Sequence, residues 1–432
     1  MSIAEQPAAR TRRAAANPVW QAIKAIASLR LTVVLFVLSM FLVFVGTLAQ
    51  LNDGVWTVVD RYFRSVYVWV PVQLFVQLGQ VFLGVPPTYR LSLAFPFPGG
   101  ITLGTLLLVN ILAAHATRFR LTWKRAGVLI VHTGLIVLFV GEAVLWFADD
   151  VEARMTMAEG ETVNYLEMSR KVELAMTDSS DPKSDDVVVV PGTMLRDNLG
   201  KVIANKDLPV DIRVDEYAEN SDLMEAGMAT GPDVFTTSIG RRVRLSTRKE
   251  GTGVDTGAHD DAALVRVTLL EKGTTKEIGT YVVSLWLQPN FTSRLPRYAF
   301  APQSVPIGGK NYTIELRPKR AYRPYAMKLL EFRHDVYVGT DTPKNYSSEV
   351  RLTDPSEKED REVLIRMNAP LRYRGETFYQ SGVLQGQKGT VLQVVRNPGW
   401  TLPYIACALV TFGMLWHFGI MLSEFLARRV SA

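Results

Sequence analysis

The chain has 432 residues, 48 % of them hydrophobic, and its 48 Lys and Arg outnumber its 42 Asp and Glu for a formal net charge of +6. The basic residues crowd beside apolar runs and form no stripe with interleaved aromatics, a pattern of membrane orientation that argues against nucleic acid as a partner. The one cysteine, Cys407, lies inside an apolar run, so the polar part of the chain has no disulfide, no C-x-x-C and no thiolate metal site. Thiol–disulfide exchange by the chain itself is thereby excluded.

A hydrocarbon core of about 30 Å requires about 20 apolar residues of helix. Residues 1–28 carry Arg10, Arg12, Arg13 and Lys24 and read as a cytoplasmic N-terminus. The run at 29–50 exceeds a signal-peptide core and reads as an uncleaved first span. Residues 51–98 form a loop outside, in which Val66 to Val85 predicts an amphipathic helix lying in the interface, because Pro71, three glutamines and two glycines interrupt it. Spans two and three fall at 99–118 and 127–147, joined by a basic turn at 119–126. The fourth, at 399–425, is followed by a tail at 426–432 with Arg428 and Arg429. If the spans alternate, all three basic clusters share one side, which the positive-inside rule makes cytoplasmic.

Residues 148–398 then lie outside, and the chain is a multi-pass protein of the inner (cytoplasmic) membrane in contact with its lipid. Short alternating runs, among them Leu264 to Leu270, Ile278 to Leu285, Tyr312 to Leu316 and Thr390 to Val395, are punctuated by Gly, Pro, Asn and Asp. They predict an antiparallel β-rich sandwich or barrel. Ser179 to Asp186 and Lys249 to Asp261 are polar without periodicity and read as loops. The expected fold is thus four transmembrane helices with a β-rich extracytoplasmic domain between the third and the fourth.

Three of the five histidines fall within spans: His115, His132 and His417. All three lie in the cytoplasmic half of the bilayer under this topology. An imidazole in hydrocarbon needs a hydrogen-bond partner or a metal, so intramembrane histidines are functional candidates. Two readings stand here: structural helix–helix contacts, or a shared site in which imidazoles serve as axial ligands to a haem iron. No carboxylate or thiolate set that would favour copper or zinc accompanies them. His259, in T-G-A-H-D-D, and His334, in E-F-R-H-D-V-Y, read as surface residues. No H-E-x-x-H, G-x-S-x-G or phosphate-binding glycine loop suggests a hydrolase or NTPase.

Four stretches resemble the ResB (CcsB) family of cytochrome c biogenesis proteins. They are V-G-T-L-A-Q (Val45 to Gln50), F-P-G-G through N-I-L-A-A-H-A-T-R-F (Phe97 to Phe119), W-K-R-A-G-V-L-I-V-H-T-G (from Trp123), and M-N-A-P-L-R-Y-R-G-E-T-F-Y-Q-S (from Met367) running on to the last span. The resemblance implies a subunit of a cytochrome c synthase (haem lyase) complex, not catalytic alone. Its implied partners are a ResC/CcsA-like membrane protein with a W-W-D segment, and apocytochrome c. The implied cofactor is haem, b-type, transient and shared with the partner. Family haem sites draw one transmembrane histidine from each half, and His115 in N-I-L-A-A-H is the best-matching position here, with His132 second and His417 a departure. Arg372, Arg374 and Tyr379, in the most recognisable segment, are the implied partner-docking residues. The competing class is a membrane-anchored scaffold whose β-domain docks partner proteins without haem.

Overall fold

The computed structural model describes residues 18–118, 122–146, 152–225, 243–249, 251, 261–288, 303–339, 343–384 and 388–430. These fall into two compact units, one built from Met1–Phe147 and Gly399–Ala432, the other from Ala148–Gly251 and Asp255–Pro398.

In the helical unit, Pro18 opens α1 (Pro18–Ile26), a position where its missing N–H costs nothing. The chain bends at Ala27–Ser28 and continues as α2 (Leu29–Ala49). A hairpin of β1 (Tyr67–Pro71) and β2 (Ala94–Pro98) follows, with α3 (Gln73–Phe82) between its strands. The amphipathic helix expected over Val66 to Val85 is therefore two elements. Y-V-W-V-P alternates in burial and pairs with A-F-P-F-P, while helix is confined to the residues beyond Pro71, whose ring and missing N–H break a helix interior. Phe41 of α2 seats this hairpin, with ring centroids 4.9 Å from Phe97 and 6.1 Å from Phe75.

Next come α4 (Gly100–Arg118), α5 (Ala126–Trp146) and, at the far end of the chain, α6 (Leu402–Val430). Together with α2 these are four helices long and apolar enough to cross a membrane. α4 packs against α1 and α2, and also against α5; α5 packs against α6. The α5–α6 contact is set by glycines spaced seven apart, Gly127, Gly134 and Gly141, which form one stripe. A methyl placed on Gly127 would stand 2.7 Å from both the Gly413 carbonyl oxygen and the His417 nitrogen, and one on Gly134 would stand 2.9 Å from the Ala406 carbonyl oxygen. Backbones approach this closely in membrane helices because small residues let van der Waals packing replace the absent hydrophobic drive.

The β unit comprises β3 (Glu152–Ala158), β4 (Thr162–Asp181), β5 (Ser184–Pro191), β6 (Val202–Ile203), β7 (Asp211–Ala218), β8 (Asn220–Glu225), β9 (Val243–Arg248), β10 (Leu264–Leu270) and β11 (Glu277–Ser284). It continues with β12 (Gln303–Ile307), β13 (Lys310–Val336), β14 (Pro343–Asp354), β15 (Glu359–Arg366), β16 (Leu371–Tyr373), β17 (Glu376–Val383) and β18 (Gly389–Arg396). Eight strands run β15-β14-β13-β4-β3-β18-β17-β16, with β12 on β13 and β5 on β4, and a second sheet runs β11-β10-β7-β6. The large sheet curls so that its ends meet: β15 packs on β16 and β17, and Ser348 Oγ donates to Gln380 Oε1 at 2.6 Å. The end strands β15 and β16 share no ladder, so the curl brings the two edges together through side chains and one isolated bridge, Arg366 to Ala369. Polar Ser179 to Asp186, expected as a loop, is a hairpin whose arms are the ends of β4 and β5, because Asp178 pairs in register with Asp186. Of Lys249 to Asp261, most residues lie outside those described, His259 included.

Two cores share β4 and β13. Met155, Met157, Leu166, Tyr325, Met327 and Phe378 belong to the one inside the curled sheet, and Leu174, Met176, Ile212, Val267, Ile314 and Leu316 to the one under the small sheet. Between them, at the register shift after Pro318, the strands carry charge. Arg317, 3 % exposed, donates to Glu173 at 2.9 Å and Glu315 at 3.1 Å, and Arg320 caps the ring of Tyr165 at 4.2 Å. Buried charges persist where each has a partner.

Candidate functional site

His115 and His132 come together. Helix α4 presents His115 and α5 presents His132, with ring centroids 5.5 Å apart and the planes edge to face at 64°. Both side chains are half-buried. His115 Nδ1 lies 2.9 Å from the Ile111 carbonyl oxygen, one turn back on its own helix. A carbonyl can only accept, so Nδ1 carries the proton and Nε2 of the neutral ring carries the lone pair. Metal-ligating imidazoles are oriented in this way, with one ring nitrogen donating to a carbonyl and the other facing the metal. The buried position of Nε2 is consistent with that role.

The pair follows from helix geometry. At 100° per residue, His132 lies about 140° around α5 from Gly127, so the glycine stripe that meets α6 turns His132 away from it and toward α4. His417 belongs to the other face: its backbone closes on Gly127, and its ring packs beside Phe418 at 5.5 Å. The sequence placed three histidines at similar depth; the fold joins two and seats the third in the α5–α6 seam. At the same end of the unit Trp123 and Trp416 meet at 4.3 Å and Lys124 pairs with Glu424 at 2.5 Å.

The donor set fits a haem iron as one axial imidazole. Imidazole binds a haem iron end-on through one ring nitrogen, and for His115 that nitrogen is Nε2.

In the β unit, Arg372 and Tyr379 are exposed, and Arg374 is committed to the fold. The β16–β17 turn places Arg374 at φ +46° and Gly375 at φ +77°, the left-handed pair of a two-residue hairpin. Arg374 Nε then reaches Asp354 at 2.7 Å, a carboxylate that also accepts from Tyr373 and Ser356. Sequence reasoning missed this network, along with the carboxylate of Glu376, which accepts from Arg323 at 2.9 Å and from the Tyr325 hydroxyl. R-Y-R-G-E is a hairpin signal that marks the turn, but the partner at Asp354 lies twenty residues away. His334 sits exposed near the end of β13, stacked on Tyr346 at 4.5 Å.

Fold and site together define a polytopic membrane protein with a large β-rich region and an intramembrane histidine pair. The ResB-like family model matches residues 302–391, from β12 into β18. Protein NrfI of Wolinella succinogenes is 24 % identical over 319 residues, covering 73 % of this chain and 29 % of the relative. The segment from β12 into β18 is thus similar to the ResB-like family, and it includes the Met367 motif; the chain spans under a third of the length of that relative.

Proposed function

We propose that this chain is the ResB-like subunit of an inner-membrane complex that moves haem to the outer face for attachment to apocytochrome c, with the β unit on that outer face. The observation that carries the reading is the His115 ring, held through Nδ1 by Ile111 within an apolar helix and beside a second imidazole. Haem is the cargo; its iron takes axial imidazole ligands, whose identity and surroundings tune its potential. His115 supplies one such ligand through Nε2. His132 borders it and keeps that side of the ring polar in an otherwise apolar setting. The opposite ligand comes from a ResC/CcsA-like membrane partner, as the family resemblance implies. The β unit, without cysteine, docks proteins through exposed residues such as Arg372 and Tyr379. Reduction of the apocytochrome falls to other proteins.

The first test is His115→Gly. Cytochrome c maturation is lost, the b-type haem spectrum of the purified complex is lost with it, and free imidazole partly restores both. A His132→Gly variant that is lost and rescued while His115→Gly stays active transfers the ligand to His132. A complex that is colourless with its partner present returns the chain to the scaffold class.

A further inference from the structure

We infer that Asn110 is the positioning residue for the histidine pair, an inference that rests on the haem reading only for its biological consequence. Asn110 is 3 % exposed in the middle of α4, and it is a polar side chain in an apolar span. Its three side-chain hydrogen bonds all go to one place, the bend between α1 and α2. Its Nδ2 donates to the carbonyl oxygens of Ile26 at 2.6 Å and Ser28 at 3.3 Å, and its Oδ1 accepts from Thr32 Oγ1 at 2.7 Å.

The bend needs such a partner. Ile26 ends α1, and the backbone at Ser28 is extended (φ −69°, ψ 129°) with no side-chain cap. The Ser28 carbonyl, which opens α2, already accepts the Thr32 N–H at 3.1 Å, but Ile26 stands at the end of α1, where a carbonyl has lost its intrahelical donor and hydrocarbon offers no water in exchange. Asn110 supplies that donor to Ile26 from another helix and adds a longer contact to Ser28. It thereby fixes the rotation of α4 about its axis and its height against α2, two degrees of freedom that apolar side chains set only loosely.

His115 is five residues further along the same helix. Five steps of 100° place it about 140° around from Asn110, on the side that meets His132. Helix α4 is therefore a rigid rod pinned by Asn110 on one side and presenting His115 on the other. Releasing the pin lets the rod rotate or slide, and a small rotation swings the His115 ring away from its neighbour. Asn110 touches neither imidazole in this arrangement; it acts through the helix.

The test reads distance without haem. In the full chain with Cys407→Ser, the pair His115→Cys and His132→Cys is crosslinked by copper phenanthroline in membranes. A reference pair, Asn52→Cys and Gln77→Cys, reports the opposite end of the unit, where those two amides are hydrogen-bonded at 2.8 and 3.0 Å. Asn110→Leu is expected to cut crosslinking of the histidine positions about fivefold, the scale of a few interhelical hydrogen bonds in a bilayer, and to leave the reference pair unchanged. Thr32→Val, which removes one of the three bonds, gives a smaller loss in the same direction. Unchanged crosslinking at the histidine positions overturns the inference. Equal loss at both pairs also overturns it, since Asn110 would then serve general stability. With His115 and His132 restored, Asn110→Leu also lowers haem occupancy. A haem-free parent protein with the crosslinking pattern intact leaves positioning standing and refutes only the haem reading.

Discussion

The helical unit and the β unit are packed by opposite means. In the β unit, large side chains such as Phe378, Tyr325 and Met155 leave water for two shared cores, and each is at most 1 % exposed. In the helical unit the closest contact, α5 on α6, is made by residues with almost no side chain. The difference is one of solvent. Burying apolar area is favourable against water and nearly neutral against lipid, so the first unit is held by what its side chains add and the second by what its glycines omit. The β unit should therefore fail when atoms are removed and the helical unit when atoms are added.

The largest effect is expected from Phe378→Ala, which empties the centre of the curled sheet and costs about 3–5 kcal/mol of β-unit stability. Denaturant titration of the full chain in detergent, followed by circular dichroism in the β region, checks it. The corresponding truncation on α6, Leu415→Ala, removes a side chain 69 % exposed to the surroundings and stays within about 0.5 kcal/mol of the parent. Equal losses from the two would break the comparison.

Next in size is Gly127→Ala. Its methyl meets backbone at 2.7 Å, so the helices must separate, at a cost of about 1–3 kcal/mol or more. Gly419→Ala, on α6, meets nothing within 4 Å and is neutral. Accumulation in membranes and thermal aggregation in detergent separate the two variants.

Acid should distinguish the units as well. Lys310, hydrogen-bonded to Asp178 at 2.6 Å, holds that carboxyl down to about 2 from its ordinary 3.8. Burial by itself would raise Asp354, but hydrogen bonds from Ser356 and Tyr373 outweigh it and hold this carboxyl to about 2 as well. The unfolded chain takes up these protons near pH 4 and the folded chain only near pH 2. Their stabilisation is thus complete above about pH 4 and is lost as pH falls toward 2. Asp178→Asn should flatten the acid limb of a stability–pH curve, while the α-helical signal of the membrane unit shows no matching slope.

The smallest contrast lies within one hairpin. Arg374→Glu puts a carboxylate beside Asp354 and lowers protein abundance, whereas Arg372→Glu, on the exposed face, leaves abundance normal and weakens cytochrome c maturation. If abundance fell equally in both, Arg372 would be structural too.

The four apolar helices were legible because hydropathy over about 20 residues is a first-order signal. Leu264 to Leu270 was legible as a strand for a similar reason, since it is buried and bounded by a turn. The long strands were not. R-P-K-R-A-Y-R-P in the middle of β13 reads as a charged, proline-broken turn, and only the facing carboxylates Glu167 and Glu173 on β4, roughly 150 residues earlier, make it a buried crossing. The histidines were found by their apolar surroundings, but which two would meet depended on the direction of the glycine stripe. That signal was present as Gly127, Gly134 and Gly141 at a spacing of seven. Asn110 is visible in the sequence as a polar residue in a span, but its partners lie at a bend that hydropathy does not resolve.

Sharing β4 and β13 between two cores also sets a timetable. Asp178 and its partner Lys310 are 132 residues apart, and neither core is complete until β13 has been synthesised. At roughly 5–20 residues per second, the ribosome takes on the order of 7–26 s to deliver the second long strand after the first. For that interval β4 waits with most of its pairing surface open, bordered only by the locally formed β3 and β5. The nascent chain is then at its most aggregation-prone, so slowed elongation between Asp181 and Lys310 should reduce the yield of folded protein more than the same pause placed after Val336.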